Sequence, residues 1–445
     1  VKIFHYSLGF PPYRSGGMTK FCMDLMIQQK KDGNEVALIW PGQMNFLFKE
    51  VSIKKQYPQF GILSFEIVNP LPVSFDEGIL DINEFTKSTN SSCFKKFLEQ
   101  EKPDVIHVHT FMGLHREFLE EAQKLKIRLV FSVHDFFAVC PKVTLFRNGQ
   151  VCSKATDCTL CEHCNKSALS LNKIKILQSP VYRFLKDSPL VKKIRKGHRD
   201  NYFKEENNYT DTWIATEQSS IRYKTLRNYY GSMIDLFDSI HYNSTLTKNV
   251  FEKFFIPKNT CIIPITHSSI KDNRKIKTFN DCLRITYLGP QNGAKGYFLL
   301  KECLDGLYKE RQNFTLNIFF TPIDAAPYMN IHGRYTYDQL EQIFDETDVL
   351  VAPSIWYETF GYTVLEALSF GAPVITSENV GAKDIFDSKC GIVVKNFSCD
   401  TLKNTIKQLN SRQLQEMNSN IMSAINIDSI SVMTKKIHDL CYKEN

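Results

Sequence analysis

Short apolar runs bounded by turn residues alternate with helix-period segments along almost the whole chain, and the rhythm starts over past the middle. In the first part "KIFHYS", "EVALIW", "EIVNP", "DVIHVH", "RLVFSVH", "TWIATE" and "SIHYNS" read as strands. Helical patterns lie between them, such as "MTKFCMDLMIQQKKDG", which closes on a Gly stop signal. A polar, Lys-rich stretch at 268–281 follows, and then "LRITYLG", "TLNIFF", "VLVAPS", "GAPVITS" and "CGIVVK" resume the strand pattern with helices between them. Parallel neighbours need a crossover connection, so this alternation predicts parallel sheets with helices on both faces. The fold class is α/β, with two doubly wound Rossmann-like domains facing a central cleft. The expected division is 1–267, a linker at 268–281, a second domain at 282–428, and a terminal helix at 429–445 that could cross back onto the first. A chain of 445 residues is long enough for two such cores.

Composition removes several alternatives. Hydrophobic content of 43% and charged content of 23% are ordinary for a globular chain, and no apolar run approaches the roughly 20 residues that span a bilayer. The opening "VKIFHYSLGF" lacks the charged-then-apolar layout of a signal peptide and reads as a first strand, so a cytoplasmic location is expected. The net charge of +7 is concentrated: residues 166–204 carry eleven Lys/Arg against Asp187 and Asp200, which leaves the remainder at −2. That stretch interleaves its cations with Leu169, Leu171, Ile174, Ile176, Leu177, Val181, Tyr182, Phe184, Leu185, Leu190, Val191 and Ile194, as a helix lying on an anionic membrane surface would. A solvated helix with an ordinary core stripe is the competing interpretation.

Thirteen cysteines are many, and five of them crowd into "CPKVTLFRNGQVCSKATDCTLCEHC" as Cys140, Cys152, Cys158, Cys161 and Cys164. Cys-x2-Cys-x2-Cys with two cysteines upstream has the character of a metal-ligand set, read here as a structural zinc site that staples the loop. An iron–sulfur site, disulfides and free thiols packing the loop remain the alternatives. A zinc-bearing nucleic-acid binder is disfavoured, because the cysteines interrupt an α/β domain and no reader module accompanies them. A dinucleotide-dependent oxidoreductase would need Gly-x-Gly-x-x-Gly after a strand, and "LGFPPYRSGG" does not supply it.

The chemistry concentrates in "SIWYETFGYTVLEALSFGAPVI", residues 354–375, where Glu358 and Glu366 flank Phe360 and Gly361. The Gly places Glu358 on a loop above the end of the strand "VLVAPS" and starts a helix just after it. Ligands of open α/β sheets bind in that crevice. The N–H groups of Gly361, Tyr362 and Thr363 would be free to hold a phosphate, and Glu366, one turn in, could accept two hydroxyl hydrogen bonds of a ribose. One carboxylate would then serve each end of a sugar nucleotide; on spacing alone, a surface loop and an ordinary helix charge is the competing interpretation.

The longer run "PSIWYETFGYTVLEALSFGAPVITSENVGAKDIF" resembles the donor-binding segment of the retaining glycosyltransferases of family four, which have the GT-B fold. In that family the pattern is Pro-Ser, Glu, Phe-Gly, Glu-Ala, Gly-x-Pro-Val-Ile and a later Gly. "YLGPQNGAKGYFLLKECLDGL" is similar to the family's phosphate loop and helix, "YSLGFPPYRSGGMTKF" to its glycine loop, and "DVIHVHTFMGL" and "FSVHDFF" to its two histidine-bearing strand ends.

The resemblance implies a first domain that binds acceptor and a second that binds a nucleotide-diphosphate sugar. By it, Glu366 holds the ribose, Glu358 sits beside the transferred sugar, and Lys295 neutralises the diphosphate. Gly16 and Gly17 let the first loop approach closely, and His134 lies at the reaction centre, against the donor sugar or its phosphate. His109 would border the acceptor pocket, whereas His107 reads as buried and satisfied and His5 as packing the first strand. Trp40, Trp213 and Trp356 read as core or cleft-wall residues. No divalent metal is required for catalysis. The family usually has Gly-Arg at the start of the phosphate loop, and here Gly289-Pro290 stands in its place.

The function expected is transfer of a hexosyl-type sugar, with retention, to a glycan or isoprenoid-linked glycolipid in surface-polysaccharide assembly, on the inner face of the membrane. A GT-B sugar-nucleotide epimerase and a non-catalytic binding protein of this fold are the alternatives.

Overall fold

The apolar runs become the parallel strands of two sheets. The first has eight strands in the order β10-β9-β6-β5-β1-β2-β4-β3. They are β1 (Lys2–Tyr6), β2 (Glu35–Pro41), β3 (Ser52–Gln59), β4 (Ile62–Val68), β5 (Val105–Val108), β6 (Arg128–Val133), β9 (Ser239–Tyr242) and β10 (Thr260–Ile262). A two-stranded hairpin, β7 (Phe146–Arg147) and β8 (Gln150–Val151), lies in the cysteine loop. The second sheet has six strands in the order β13-β12-β11-β14-β15-β16: β11 (Leu283–Tyr287), β12 (Phe314–Ile318), β13 (Met329–Ile331), β14 (Val349–Ala352), β15 (Val374–Ser377) and β16 (Gly391–Val394). In this computed structural model the described residues are 1–45, 49–152, 154–186, 188–194, 197, 216–310 and 312–443.

Counted along the chain, the second sheet has the doubly wound order 3-2-1-4-5-6. The parallel strands of the first sheet follow the same plan, so each sheet reverses direction once, between β1 and β5 and between β11 and β14. The loops leaving those four strands are where such a fold opens a ligand crevice.

The sequence did not show every strand. β3 is polar, exposed and antiparallel to β4, an edge strand that lacks the apolar run marking a buried one. The strand expected at "EIVNP" begins earlier, at Ile62, and ends at Val68. "TWIATE" falls largely on 212–215, outside the described residues, and Thr216 caps the helix Glu217–Ile234 by accepting from Ser219 N–H. Trp213 also lies outside the described residues, whereas Trp40 is buried.

The final helix, Ile430–Ile437, packs against the helix Gly17–Lys31 of the first domain, and the segment His438–Tyr442 lies against β6 and β9. Arg128 Nε donates to Cys441 O at 2.7 Å, and the Cys261 and Cys441 sulfurs stand 3.1 Å apart. One apolar cluster, with Phe21 and Leu25 from the first domain, Val364 and Leu368 from the second, and Met433 and Ile437 from the last helix, spans all three parts. Among the described residues, no helix is long and apolar enough to cross a membrane.

Candidate active site

The loop after β14 carries Glu358, and the helix Tyr362–Ser369 starts where expected, at Gly361 with φ +100°. A Cβ at Gly361 would also stand 3.0 Å from Val380, so a left-handed turn against a packed neighbour requires Gly here. No side chain caps this helix start, which leaves its first N–H groups facing the crevice. Phe360 is buried, and its ring meets that of Tyr362, so it anchors the turn by packing.

Lys295 reaches across from the loop after β11 and pairs with Glu358. Ser354 Oγ donates to the other Glu358 oxygen at 2.6 Å, and the Lys295 ammonium lies 5.2 Å from the Trp356 ring centre. Burial opposes ionisation of Glu358, but Lys295 and the serine hydroxyl outweigh it and hold the carboxyl below its ordinary pKa. The Lys295 loop is pressed onto the β14 loop: a Cβ on Gly296 would fall 1.8 Å from the Pro353 carbonyl oxygen. Pro290 is exposed, and its carbonyl accepts from Tyr287 Oη at 2.8 Å, so this corner of the loop carries no cation.

Glu366 is 2% exposed. Its Oε1 meets His267 Nε2 at 3.4 Å, and its Oε2 has no hydrogen-bond partner among the described residues. His267 packs against the rings of Tyr337 and Tyr362. Burial, and next the charge of Glu366, push the Tyr335 phenol well above its ordinary pKa. Tyr335 in turn lines a pocket of about 310 Å³ with Asn317, Phe319, His332 and Arg334. Residues 332–335 stand outside every motif named above, and Arg334 belongs to this pocket.

From the first domain, Gly16 (φ +113°) caps the helix Gly17–Lys31, and a Cβ on Gly17 would touch the Tyr362 ring at 3.4 Å. The glycine loop therefore abuts the phosphate-side helix. The carbonyl of His134 accepts from Thr359 Oγ1 at 3.1 Å, which seats the Glu358 loop against the end of β6. Ser244 Oγ and Thr247 Oγ1 donate to Thr359 O at 2.7 and 2.9 Å and fix the same loop. The structure thus brings His134, Gly17, Glu358, Lys295, Gly361, Tyr362 and Glu366 to one cleft.

His109 does not border an open pocket. It is 1% exposed and lies between His5 and His134. His5, His107 and His109 have ligand atoms within 4.8 Å of one another, and this is the grouping found among the described residues that could hold a metal. The cysteines meet no such condition as they stand. Cys140, Cys152, Cys161 and Cys164 line a cavity of about 30 Å³ with Arg227, but no three of the sulfurs approach within 4.8 Å of one another. Among the described residues none of the five cysteines is in a disulfide.

Two protein-family descriptions match this chain: "Glycosyl transferases group 1" over residues 327–424 and "Glycosyltransferase Family 4" over residues 15–154. The chain belongs to the family-four glycosyltransferases. This glycosyltransferase shares the GT-B fold, at low identity, with sucrose-phosphate synthase from Thermosynechococcus elongatus (13% identical, 98% of each chain, TM-score 0.55). It aligns as well with Anabaena Alr3699/HepE, solved with UDP and glucose (12% identical, 98% of each chain, TM-score 0.54). A third is the UDP-forming α,α-trehalose-phosphate synthase from Burkholderia xenovorans, solved with glucose-6-phosphate (10% identical, 99% of this chain and 100% of that one, TM-score 0.57). A curated relative, "Uncharacterized 42.6 kDa protein in cps region" of Klebsiella pneumoniae, is 21% identical over 295 residues. The match takes in 66% of this glycosyltransferase and 62% of that protein, less than two thirds of its length.

Proposed function

We propose that this glycosyltransferase moves a hexosyl-type sugar from a nucleotide-diphosphate donor to a glycan or lipid-linked acceptor with retention of configuration. The observation that carries the proposal is Glu366: a carboxylate 2% exposed, with one oxygen unpaired, beside a pocket and one turn from an uncapped helix start. Burying such a group costs free energy unless a ligand completes it. Glu366 accepts the ribose hydroxyls, the base enters the pocket walled by Phe319 and Tyr335, and the diphosphate lies on the N–H groups of Gly361, Tyr362 and Thr363. Lys295, held by Glu358 in the free protein, neutralises the leaving group.

In the reaction the bond from the anomeric carbon to the diphosphate breaks and the acceptor oxygen bonds to that carbon. The acceptor proton passes to a phosphate oxygen. Negative charge grows on the diphosphate as the bond breaks, and the ammonium and helix amides are placed to stabilise it without a metal ion. His134, Gly16 and Gly17 form the opposite wall. The chain passes from the acceptor domain, 1–267, to the donor domain through 268–281, and the cysteines of the loop 140–164 would supply the thiolates of a structural zinc site.

The exposed face at 171–194 supports a lipid-linked acceptor and a location at the inner membrane surface. Ile176, Val181, Phe184, Leu190 and Ile194 are 55–87% exposed, so most of this apolar stripe is no core stripe; Ile174 alone of the helix Leu171–Leu177 is buried. Arg195, Lys196, Arg199 and Lys204 lie outside the described residues. A polybasic surface gains about 1 kcal/mol per cation near anionic lipid. Vesicles containing anionic lipid should retain the protein at low salt and release it at high salt; binding to neutral vesicles alone would contradict this. The relative from a cps region supports a role in polysaccharide assembly.

The test of the central reading is a panel of nucleotide sugars, followed by thermal stabilisation and slow donor hydrolysis. One donor should stabilise the wild-type protein and be hydrolysed, and Glu366→Ala should lose both. No response to any donor would favour a binding-only protein, and conversion of a donor to its epimer would favour the epimerase.

A further inference from the structure

Nine groups form one unbroken run of hydrogen bonds through the first domain, and it ends at His134. From the far end, His241 Nε2 meets the Ile263 carbonyl at 2.8 Å, and Ser132 Oγ meets His241 Nδ1 at 2.7 Å. His107 Nε2 meets the same hydroxyl at 2.7 Å, and His107 Nδ1 meets Tyr442 Oη at 2.7 Å. Gln29 Nε2 donates to that phenol at 2.9 Å, and Gln29 Oε1 faces His5 Nε2 at 2.7 Å. His5 Nδ1 faces His109 Nε2 at 2.9 Å, and His109 Nδ1 faces His134 Nε2 at 3.2 Å.

A carbonyl oxygen only accepts, and this decides every proton in the run. His241 must donate through Nε2 to Ile263 O, so its Nδ1 accepts from Ser132. The hydroxyl, having donated, accepts from His107 Nε2–H, and His107 Nδ1 then accepts from Tyr442. The phenol accepts from the Gln29 amide, Gln29 Oε1 accepts from His5 Nε2–H, His5 Nδ1 from His109 Nε2–H, and His109 Nδ1 from His134 Nε2–H. This proton order requires neutral rings. Burial supplies that, lowering the pKa of His5 and His241 to about 4 and of His134 to about 3. Burial and the neighbouring histidines hold His107 and His109 well below the ordinary value. The three histidines close enough to share a metal have all six ring nitrogens engaged in this run.

We infer that the run fixes His134 with its proton on Nε2, so that its Nδ1 meets the donor sugar as a hydrogen-bond acceptor, and that Tyr442 is the positioning residue that transmits this order. The ligand part rests on the transferase reading above. The group facing Nδ1 must then be a hydroxyl, not an ionised phosphate or carboxylate oxygen, both of which need a donor. Tyr442 comes from the terminal segment packed on the first domain, 335 positions from its partner His107. The order reaching the cleft therefore depends on that segment being docked.

The test uses the full chain with 15N-labelled histidine, without ligand, and reads the tautomer of each ring from long-range 1H–15N correlations assigned by single substitutions. His5, His107, His109, His134 and His241 should all be neutral with the proton on Nε2. In Tyr442→Phe, His107 and His241 should keep that form, because Ile263 still anchors them. Released from the phenol, the Gln29 amide can turn over, so His5, His109 and His134 should gain an Nδ1–H population. Gln29→Met should free His109 and His134 in the same way. An Nδ1–H on any of the five rings in the wild type, or no change in either variant, overturns the inference. Because no donor is present, this result stands whether or not the transferase reading does. With donor, one monodeoxy analogue should bind about tenfold more weakly than its parent, and His134→Leu should erase that difference. Equal binding of all analogues overturns the hydroxyl assignment.

Discussion

Glu366→Gln should make the free protein more stable while it cripples donor binding. In the free protein the carboxylate is buried, one oxygen is unpaired, and the other meets His267 at 3.4 Å, beyond a strong hydrogen bond. An unsatisfied buried polar atom costs about 1–3 kcal/mol, more when charged. Gln has the same shape without the charge, so the substitution should recover about 1–2 kcal/mol, or roughly 2–4 °C per kcal/mol for a domain of this size. Binding moves the other way. A hydrogen bond to a charged acceptor contributes about 1.5–3 kcal/mol, so weakening two ribose contacts should raise the Kd of the donor by about 10²–10⁴-fold. Thermal unfolding without ligand and calorimetric titration with the stabilising nucleotide sugar measure the two effects separately. A variant that melts below the wild type and binds donor equally well would refute the reasoning, because Glu366 would then be structural. The opposite signs mark a site that gives up stability for function.

Gly296→Ala should lower stability, since φ is +77° and the new methyl would fall 1.8 Å from the Pro353 carbonyl. The backbone conformation alone costs roughly 1–3 kcal/mol, and an unchanged melting temperature would contradict the close approach. Asp135 is held up to about 6 by burial, which the Phe137 N–H only partly offsets. Its raised pKa means the folded state binds more protons between about pH 4 and 6, so stability falls as pH rises through that window. Asp135→Asn should remove that slope and add up to about 3 kcal/mol at pH 8 with little gain at pH 4; parallel profiles for the two proteins would refute it. The Cys161 thiol and then Arg227 hold Cys158 below the ordinary thiol pKa, against the burial that opposes them, as suits a metal-ligating sulfur. Elemental analysis of protein purified without chelator should find zinc near one equivalent, lost in Cys161→Ser; no zinc above background would return the loop to free thiols.

The fold was legible wherever burial writes itself into the sequence. β1, β5, β6, β11 and β14 are apolar because helices cover both faces, and the glycines at 296 and 361 mark turns that other residues resist. The missed strands β3, β10 and β13 are edge strands that need no apolar run. Glu358, Lys295 and Glu366 could be named because a local pattern carries them. The histidine run could not, because its bonds depend on which strands lie side by side. His5 faces His107 only once β1 pairs with β5, and Ser132 reaches His241 only once β6 pairs with β9. Tyr442 and His267 likewise find their partners 335 and 99 positions away, through packing that no local spacing records.

The most direct measurement is a crystal structure of the protein with the nucleotide sugar that stabilises it. Glu366 Oε2 should lie within hydrogen-bond distance of a ribose hydroxyl, with the diphosphate on the amides of Gly361 to Thr363 and near Lys295, and the sugar between Glu358 and His134. A nucleotide bound elsewhere, or one that leaves Glu366 Oε2 unpaired, would contradict the assignment of this cleft as the transfer site.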